Sequence, residues 1–276
     1  MTVTGPGRTD PRKWLAWAGV AGALLLALGG CAARLAGESA PPHDIVTESD
    51  EPELRKRARI RMELAVGYFE QGQTKVALDE LKQAIASDPT FPDAYNLRGL
   101  IYMRLHDMPK AEDSFRRAAA LNPRDANVQH NYGWLLCQQG RYQESQRAFD
   151  AAMANPVYTG RAKTLMAQGL CQARAGRTAE AEHSLARAYE LDAGNPVTGY
   201  NLANLLYQRG DYVRAQFYIR RLNNSELANA ETLWLGIKIE RRLNDQVAMG
   251  QLGGQLKKRF APSREAAAYE RRAFDD

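Results

Sequence analysis

The side chains able to do chemistry in this sequence are few, and their spacing does not suit catalysis. Its four histidines, His43, His106, His130 and His183, have no metal-ligand spacing with one another or with the three cysteines, Cys31, Cys137 and Cys171. No glycine loop of the phosphate-cradling kind is present, and no serine sits in a G-x-S-x-G turn. These absences point to a non-enzyme with no catalytic residues, no metal, no cofactor and no small-molecule substrate. The formal charge is +5 and the isoelectric point about 9.1, but basic and acidic residues are interspersed without a long basic block. That pattern argues against nucleic acid as the partner. Three cysteines are too few for a disulfide scaffold. After residue 40 no stretch is apolar enough to span a bilayer.

The side chain best placed for covalent chemistry is Cys31. Arg8, Arg12 and Lys13 precede the apolar run Trp14–Leu28, and the run ends Leu28-Gly29-Gly30-Cys31. A basic start, a short apolar run and small residues at its end form an export signal. The ending resembles the bacterial lipobox, in which a lipid is attached to the cysteine and cleavage makes it the new N-terminus. The other reading is an ordinary signal peptide or anchor with an incidental cysteine. The lipobox is preferred because the cysteine stands where the apolar segment stops. Ala32, not Asp, follows it, which by the rules of that family implies the outer membrane, facing the periplasm. Acyl chains contribute about 0.8 kcal/mol per buried methylene, so multiple acylation holds stably. The segment before the apolar run is long, which suggests a start codon downstream of Met1. Residues 1–30 are thus expected to be the signal. Residues 31–52, with Gly37, Pro41, Pro42 and several acids but no helical period, are expected to be a flexible tether.

The elements that follow are set by a repeat. In Pro92–Arg124 the frame is Tyr95-x3-Gly99-x2-Tyr102, then Ala111-x3-Phe115-x2-Ala118, then Pro123. This is the tetratricopeptide (TPR) pattern. Small residues let two antiparallel helices approach, aromatics fill the space around the contact, and proline separates the unit from the next. The small residue of the first helix recurs as Ala65, Gly99, Gly133, Gly169, Ala203 and Gly236, in steps of 34, 34, 36, 34 and 33. The small residue of the second helix recurs as Ala77, Ala111, Ser145, Ala181, Ala215 and Ala248. The pattern predicts an all-α fold, an α-solenoid of six repeats over residues 53–262, at about 58–91, 92–125, 126–161, 162–195, 196–228 and 229–262. The first helix has no breaker back to Pro52. In repeat 2, Arg98 takes a slot usually held by leucine, and His106-Asp107-Met108-Pro109 replaces the usual glycine turn. The 36-residue step predicts a longer loop near Tyr158–Arg161. Repeat 5 has no closing proline, and Asn223-Asn224-Ser225 is expected to be its loop. In repeat 6, Gly250, Gly253 and Gly254 are expected to loosen the second helix. The charged tail, residues 263–276, suits a capping helix.

Cys137 and Cys171 lie 34 residues apart in neighbouring repeats. They could form a periplasmic disulfide or be two small buried hydrophobes. They occupy different repeat slots, so the spacing favours the unpaired reading. The concave face of such an array is lined by the first helices. Here its slots hold Met62, Val66 and Phe69; Asn96, Leu100 and Met103; His130 and Trp134; Met166 and Leu170; Tyr200, Asn204 and Tyr207. This stripe is apolar enough to take an amphipathic helix or an extended apolar peptide. Some of these side chains could instead pack against the next repeat.

A lipobox followed by six such units resembles the type IV pilus biogenesis and stability lipoproteins, the PilF/PilW pilotins. The resemblance rests on His130-Asn131-Tyr132-Gly133-Trp134-Leu135-Leu136 followed by Gly140-Arg141-Tyr142, and on Asn155-Pro156-Val157-Tyr158. It rests also on Leu235-Gly236-Ile237 and on Gln255-Leu256-Lys257-Lys258-Arg259-Phe260 before Pro262. It covers residues 20–265 and departs at the long basic start, at Arg98 and in the tail. The resemblance implies a non-enzymatic outer-membrane lipoprotein. It would bind the pilus secretin subunit, with other pilus assembly proteins as further partners, and support secretin multimerisation, pilus biogenesis, twitching motility and DNA uptake. The alternative is a TPR lipoprotein scaffold for another envelope assembly.

Overall fold

The computed structural model describes residues 1–2 and 50–274. The expected signal, Cys31 and most of the tether lie outside the described residues.

From Pro52 onward the chain is a run of antiparallel helix pairs. The first helices are α1 (Glu53–Glu70), α3 (Pro92–Arg104), α5 (Ala126–Gln138), α7 (Arg161–Arg174), α9 (Pro196–Gln208) and α11 (Ala230–Arg242). The second helices are α2 (Thr74–Ser87), α4 (Met108–Leu121), α6 (Tyr142–Met153), α8 (Thr178–Leu191), α10 (Tyr212–Asn223) and α12 (Gln246–Arg259). A short helix, α13 (Arg264–Glu270), follows. The backbone of each first helix comes close to that of the first helix of the next repeat, whereas successive second helices are set wider apart and meet only through long side chains such as Tyr189 and Tyr218. The first helices therefore form the inner, concave layer.

Within a pair, the small slot of one helix receives a large side chain of the other. A Cβ at Gly99 would lie 2.7 Å from the Phe115 ring, one at Gly133 2.9 Å from Phe149, and one at Gly169 2.7 Å from Leu185. Phe115, Phe149 and Leu185 are buried in consequence. The turn inside each pair needs a left-handed residue. Gly72, Gly140, Gly176 and Gly210 supply it with φ of 75–80°. His106 (58°) and Asn244 (60°) hold the same conformation in repeats 2 and 6, so the missing glycines change the residue and not the turn. Asp107 then caps α4 by accepting from the Lys110 amide at 3.2 Å. Arg98 folds along the pair, its guanidinium 5.0 Å from the Tyr95 ring and donating to Ser114 Oγ at 2.9 Å and Asp113 at 3.1 Å.

Neighbouring repeats are tied by ion pairs as well as by packing. Arg141 reaches Glu112 at 2.7 Å, and Arg214 reaches Glu182 at 2.7 Å. Between repeats 5 and 6 the carboxylate of Glu240 is fully buried. It accepts from Arg220 Nε at 2.7 Å and Nη2 at 3.0 Å, and from Gln216 at 2.7 Å.

Two expectations about local structure are corrected. Asn223 does not open the loop after repeat 5; it is the last residue of α10, buried, and its amide donates to the Thr232 carbonyl at 3.1 Å. The glycines of repeat 6 do not loosen α12, which is continuous over fourteen residues. Gly253 faces inward, and a Cβ there would overlap the Tyr269 ring carried by α13. It is a notch into which the final helix docks, with Tyr269, Ala266 and Phe274 packed against Leu233, Ile237 and Leu256.

Candidate functional site: the concave groove

Twelve of the thirteen side chains assigned to the groove are half-buried, each seated between first helices with part of its surface open. Met62, Val66 and Phe69 pack on the core around Ala65 and Ile101. Leu100 and Met103 pack on Phe115 and Leu135. Trp134 packs on Phe149 and Ala167, and Met166, Leu170, Tyr200 and Tyr207 flank the core around Leu202 and Leu206. Asn96 bridges to the next repeat by accepting from Asn131 Nδ2 at 3.1 Å. The two readings of the stripe thus combine: these residues pack between repeats and also form the groove floor. At the C-terminal end Tyr200 and Asn204 join Trp234, Lys238, Arg264 and Arg271 around a cleft of about 470 Å³. Burial, with the nearby carboxylates of Glu231 and Glu265, pushes the Tyr200 phenol above its ordinary value.

His130 does not face the groove. It is 5 % exposed, and its Nδ1 lies 2.9 Å from Thr164 Oγ1, which is 2.9 Å from the Tyr158 hydroxyl. The longer loop between repeats 3 and 4 carries Tyr158 inward, where it is buried against Ala126 and Ala152 and its hydroxyl shares Thr164 Oγ1 with the imidazole. Burial, with the Lys163 ammonium nearby, lowers the His130 pKa to about 4, so the ring is neutral at ordinary pH.

Cys137 and Cys171 form a disulfide, with Cα atoms 5.7 Å apart. The expectation of two unpaired thiols is corrected. Cys137 takes in α5 the slot that holds Phe69, Met103 and Tyr207 in other repeats, and Cys171 takes in α7 the slot that holds the buried Ile101, Leu135 and Leu205, so unequal slots meet. The bond lies beneath Trp134, in the middle of the groove floor.

Some groove residues were absent from the sequence-based set. Arg104 stacks over Phe69 at 5.1 Å, Arg174 over Trp134 at 5.0 Å, and the Lys238 ammonium lies 5.7 Å from both Tyr207 and Trp234. Arg104 and Arg174 share one repeat slot, the residue after the last stripe position, which is the signal that would have found them. Among the described residues no cluster of His, Cys, Asp or Glu could hold a metal ion, and no helix is long and apolar enough to cross a membrane.

Models of the tetratricopeptide repeat match residues 67–105, 91–155, 133–196 and 172–231. The crystal structure of PilW, described as a widely conserved type IV pilus biogenesis factor, superposes with a TM-score of 0.72 at 30% identity. The match covers 77% of this chain and 97% of PilW. The chain belongs to the PilF/PilW family of TPR proteins. The type IV pilus assembly protein PilF of Pseudomonas aeruginosa is 27% identical over 209 residues, 76% of this chain and 83% of that protein. The structure of P. aeruginosa PilF superposes with a TM-score of 0.72 over 80% of this chain and all of the solved chain, at 26% identity. PilF and PilW thus share the helical fold over about four fifths of this chain.

Proposed function

We propose that this chain serves type IV pilus biogenesis as an outer-membrane lipoprotein that captures the secretin subunit. Cys31 carries the lipid, the solenoid faces the periplasm, and the groove holds a segment of the secretin. Capture at the membrane raises the local concentration of subunits and shields their apolar surface until the ring closes. The observation that carries the reading is the match to PilW along nearly the whole of that protein. The Cys137–Cys171 bond adds support, because structural disulfides persist in oxidising compartments such as the periplasm.

The test is deletion of the gene, followed by measurement of heat-resistant secretin multimers in outer-membrane fractions. The reading expects multimers to disappear while monomer persists, and to return with the wild-type gene but not with Cys31→Ser. Normal multimers and normal piliation in the deletion strain would overturn it. That outcome would favour a scaffold for another envelope assembly.

A further inference from the structure

The three central first helices, α5, α7 and α9, contain no aspartate or glutamate. The carboxylates of repeats 3 to 5, such as Glu144, Asp150, Glu180, Glu182 and Asp211, lie on second helices and in loops. The inner wall carries cations instead. Arg174 covers Trp134, Lys163 stands exposed on α7 three residues before the groove residue Met166 and on the same helix face, and Lys238 lies between Tyr207 and Trp234. None of these three has a carboxylate partner among the described residues. Elsewhere the cations of this chain are commonly paired, as Arg141 is to Glu112 and Glu144, and Arg220 to Glu240 and Asp245. Among the described residues acids stand toward its ends: Glu70 and Asp93 in repeats 1 and 2, with Asp125 near Asp93, and Glu231 and Glu265, which line the C-terminal cleft with Lys238 and lie near Arg264.

We infer that the groove selects an acidic segment: a peptide stretch whose apolar side chains seat on the floor and whose carboxylates meet Lys163, Arg174 and Lys238. The inference rests on the groove being the docking site and adds the chemistry of its occupant. Apolar seats at Leu100, Met103 and Leu170 call for a protein segment rather than a nucleic acid, whose bases would demand exposed stacking platforms. Here the exposed faces of Trp134 and Tyr207 are already covered by the chain's own cations. A carboxylate arriving over Trp134 finds the guanidinium held in place by the ring beneath it. Little side-chain freedom is then left to lose on pairing.

The test uses the full chain in detergent and two labelled amphipathic peptides of about 20 residues, with identical leucines but glutamate or lysine at the flanking positions. Fluorescence anisotropy should show the acidic peptide binding about tenfold more tightly, as expected of a few screened ion pairs, with the advantage shrinking in high salt. The double variant Lys163→Glu/Arg174→Glu should reverse the order. Lys257→Glu/Lys258→Glu, at the exposed end of α12, should leave it unchanged. If the reversed variant does not fold, Lys163→Gln/Arg174→Gln should make the two peptides equal. Equal binding of both peptides by the wild-type chain, or a preference that neither groove variant moves, overturns the inference. So does a single-stranded oligonucleotide of matched charge that binds as tightly as the acidic peptide. The outcome is separable from the secretin reading. Loss of peptide preference alongside multimers that need the gene sinks only the acidic-segment inference. A clear preference alongside multimers that ignore the gene sinks only the secretin role.

Discussion

Acidification should loosen this solenoid at one identifiable place, the His130 site. The imidazole is buried against Thr164 with its pKa lowered to about 4, whereas an unfolded chain titrates near 6.5. Between those values the unfolded state binds more protons than the folded one, so stability rises with pH across the window. The contribution is complete above about pH 6.5 and is lost as pH falls toward 4. Each pH unit inside the window removes about 1.4 kcal/mol, so pH 5 removes about 2 kcal/mol and full protonation about 3.4 kcal/mol. Because the carboxylates also titrate in acid, the measurement must be a difference. Urea unfolding followed by circular dichroism, from pH 7.5 to 4.5, would compare the wild type with His130→Gln, which keeps a hydrogen-bonding group toward Thr164. The wild type should lose its advantage over the variant between pH 6.5 and 5, while an NMR titration of the His130 ring stays flat to below pH 5. Parallel stability curves for the two proteins, or a ring that titrates near 6.5, would show that His130 is not held in the neutral form.

Three further perturbations read other joints of the array. Arg220→Leu leaves the fully buried Glu240 carboxylate without its bidentate partner and should lower stability by about 3–5 kcal/mol, whereas adding Glu240→Leu should recover most of that. Denaturant midpoints for the wild type, the two single leucine variants and the double variant decide it, and a loss under about 1 kcal/mol for Arg220→Leu refutes the pairing. Gly253→Ala places a methyl where Tyr269 sits, so amide exchange in α13 and the facing turns of α11 and α12 should accelerate while α1 to α9 keep their protection; unchanged exchange in α13 contradicts the notch. Cys137→Ala/Cys171→Ala opens a cross-link of sequence separation 34 and should lower stability by about 4 kcal/mol on the chain-entropy estimate, with helical circular dichroism retained. A midpoint equal to that of the wild type would show the bond to be without consequence for stability.

The repeat frame was legible because close helix contact tolerates so few residues that alanine and glycine recur at Ala65, Gly99, Gly133, Gly169, Ala203 and Gly236. The groove floor was legible for the same reason: slots on one helix face stay on one face. What escaped depended on relations between repeats or on tertiary docking. Helix propensity marks Gly253 as a weak point of α12, but the ring that fills its missing side chain comes from α13. Slot arithmetic kept Cys137 and Cys171 apart because it assumes that equal slots of neighbouring helices face each other, whereas here unequal slots meet. It put His130 on the inner face because it cannot see that Thr164, on the next first helix, takes up the imidazole and links it to Tyr158 of the longer loop. The burial of Glu240 depends on Arg220, twenty residues earlier, and no local pattern announces it. The acid-free inner helices, by contrast, were open to reading once helix boundaries were known.

A stack of helix pairs deforms like a coil spring, each turn free to tilt slightly against the next. The bond between Cys137 and Cys171 welds two adjacent turns near the middle of this one. A load or a ligand that changes the pitch must then spend its strain in the turns on either side. The elasticity of the array is thus segregated: a stiff centre holds the shape of the floor under Trp134, and two compliant arms open or close around whatever lies across it. Cleaving the weld would even out that compliance without removing a single residue from the groove.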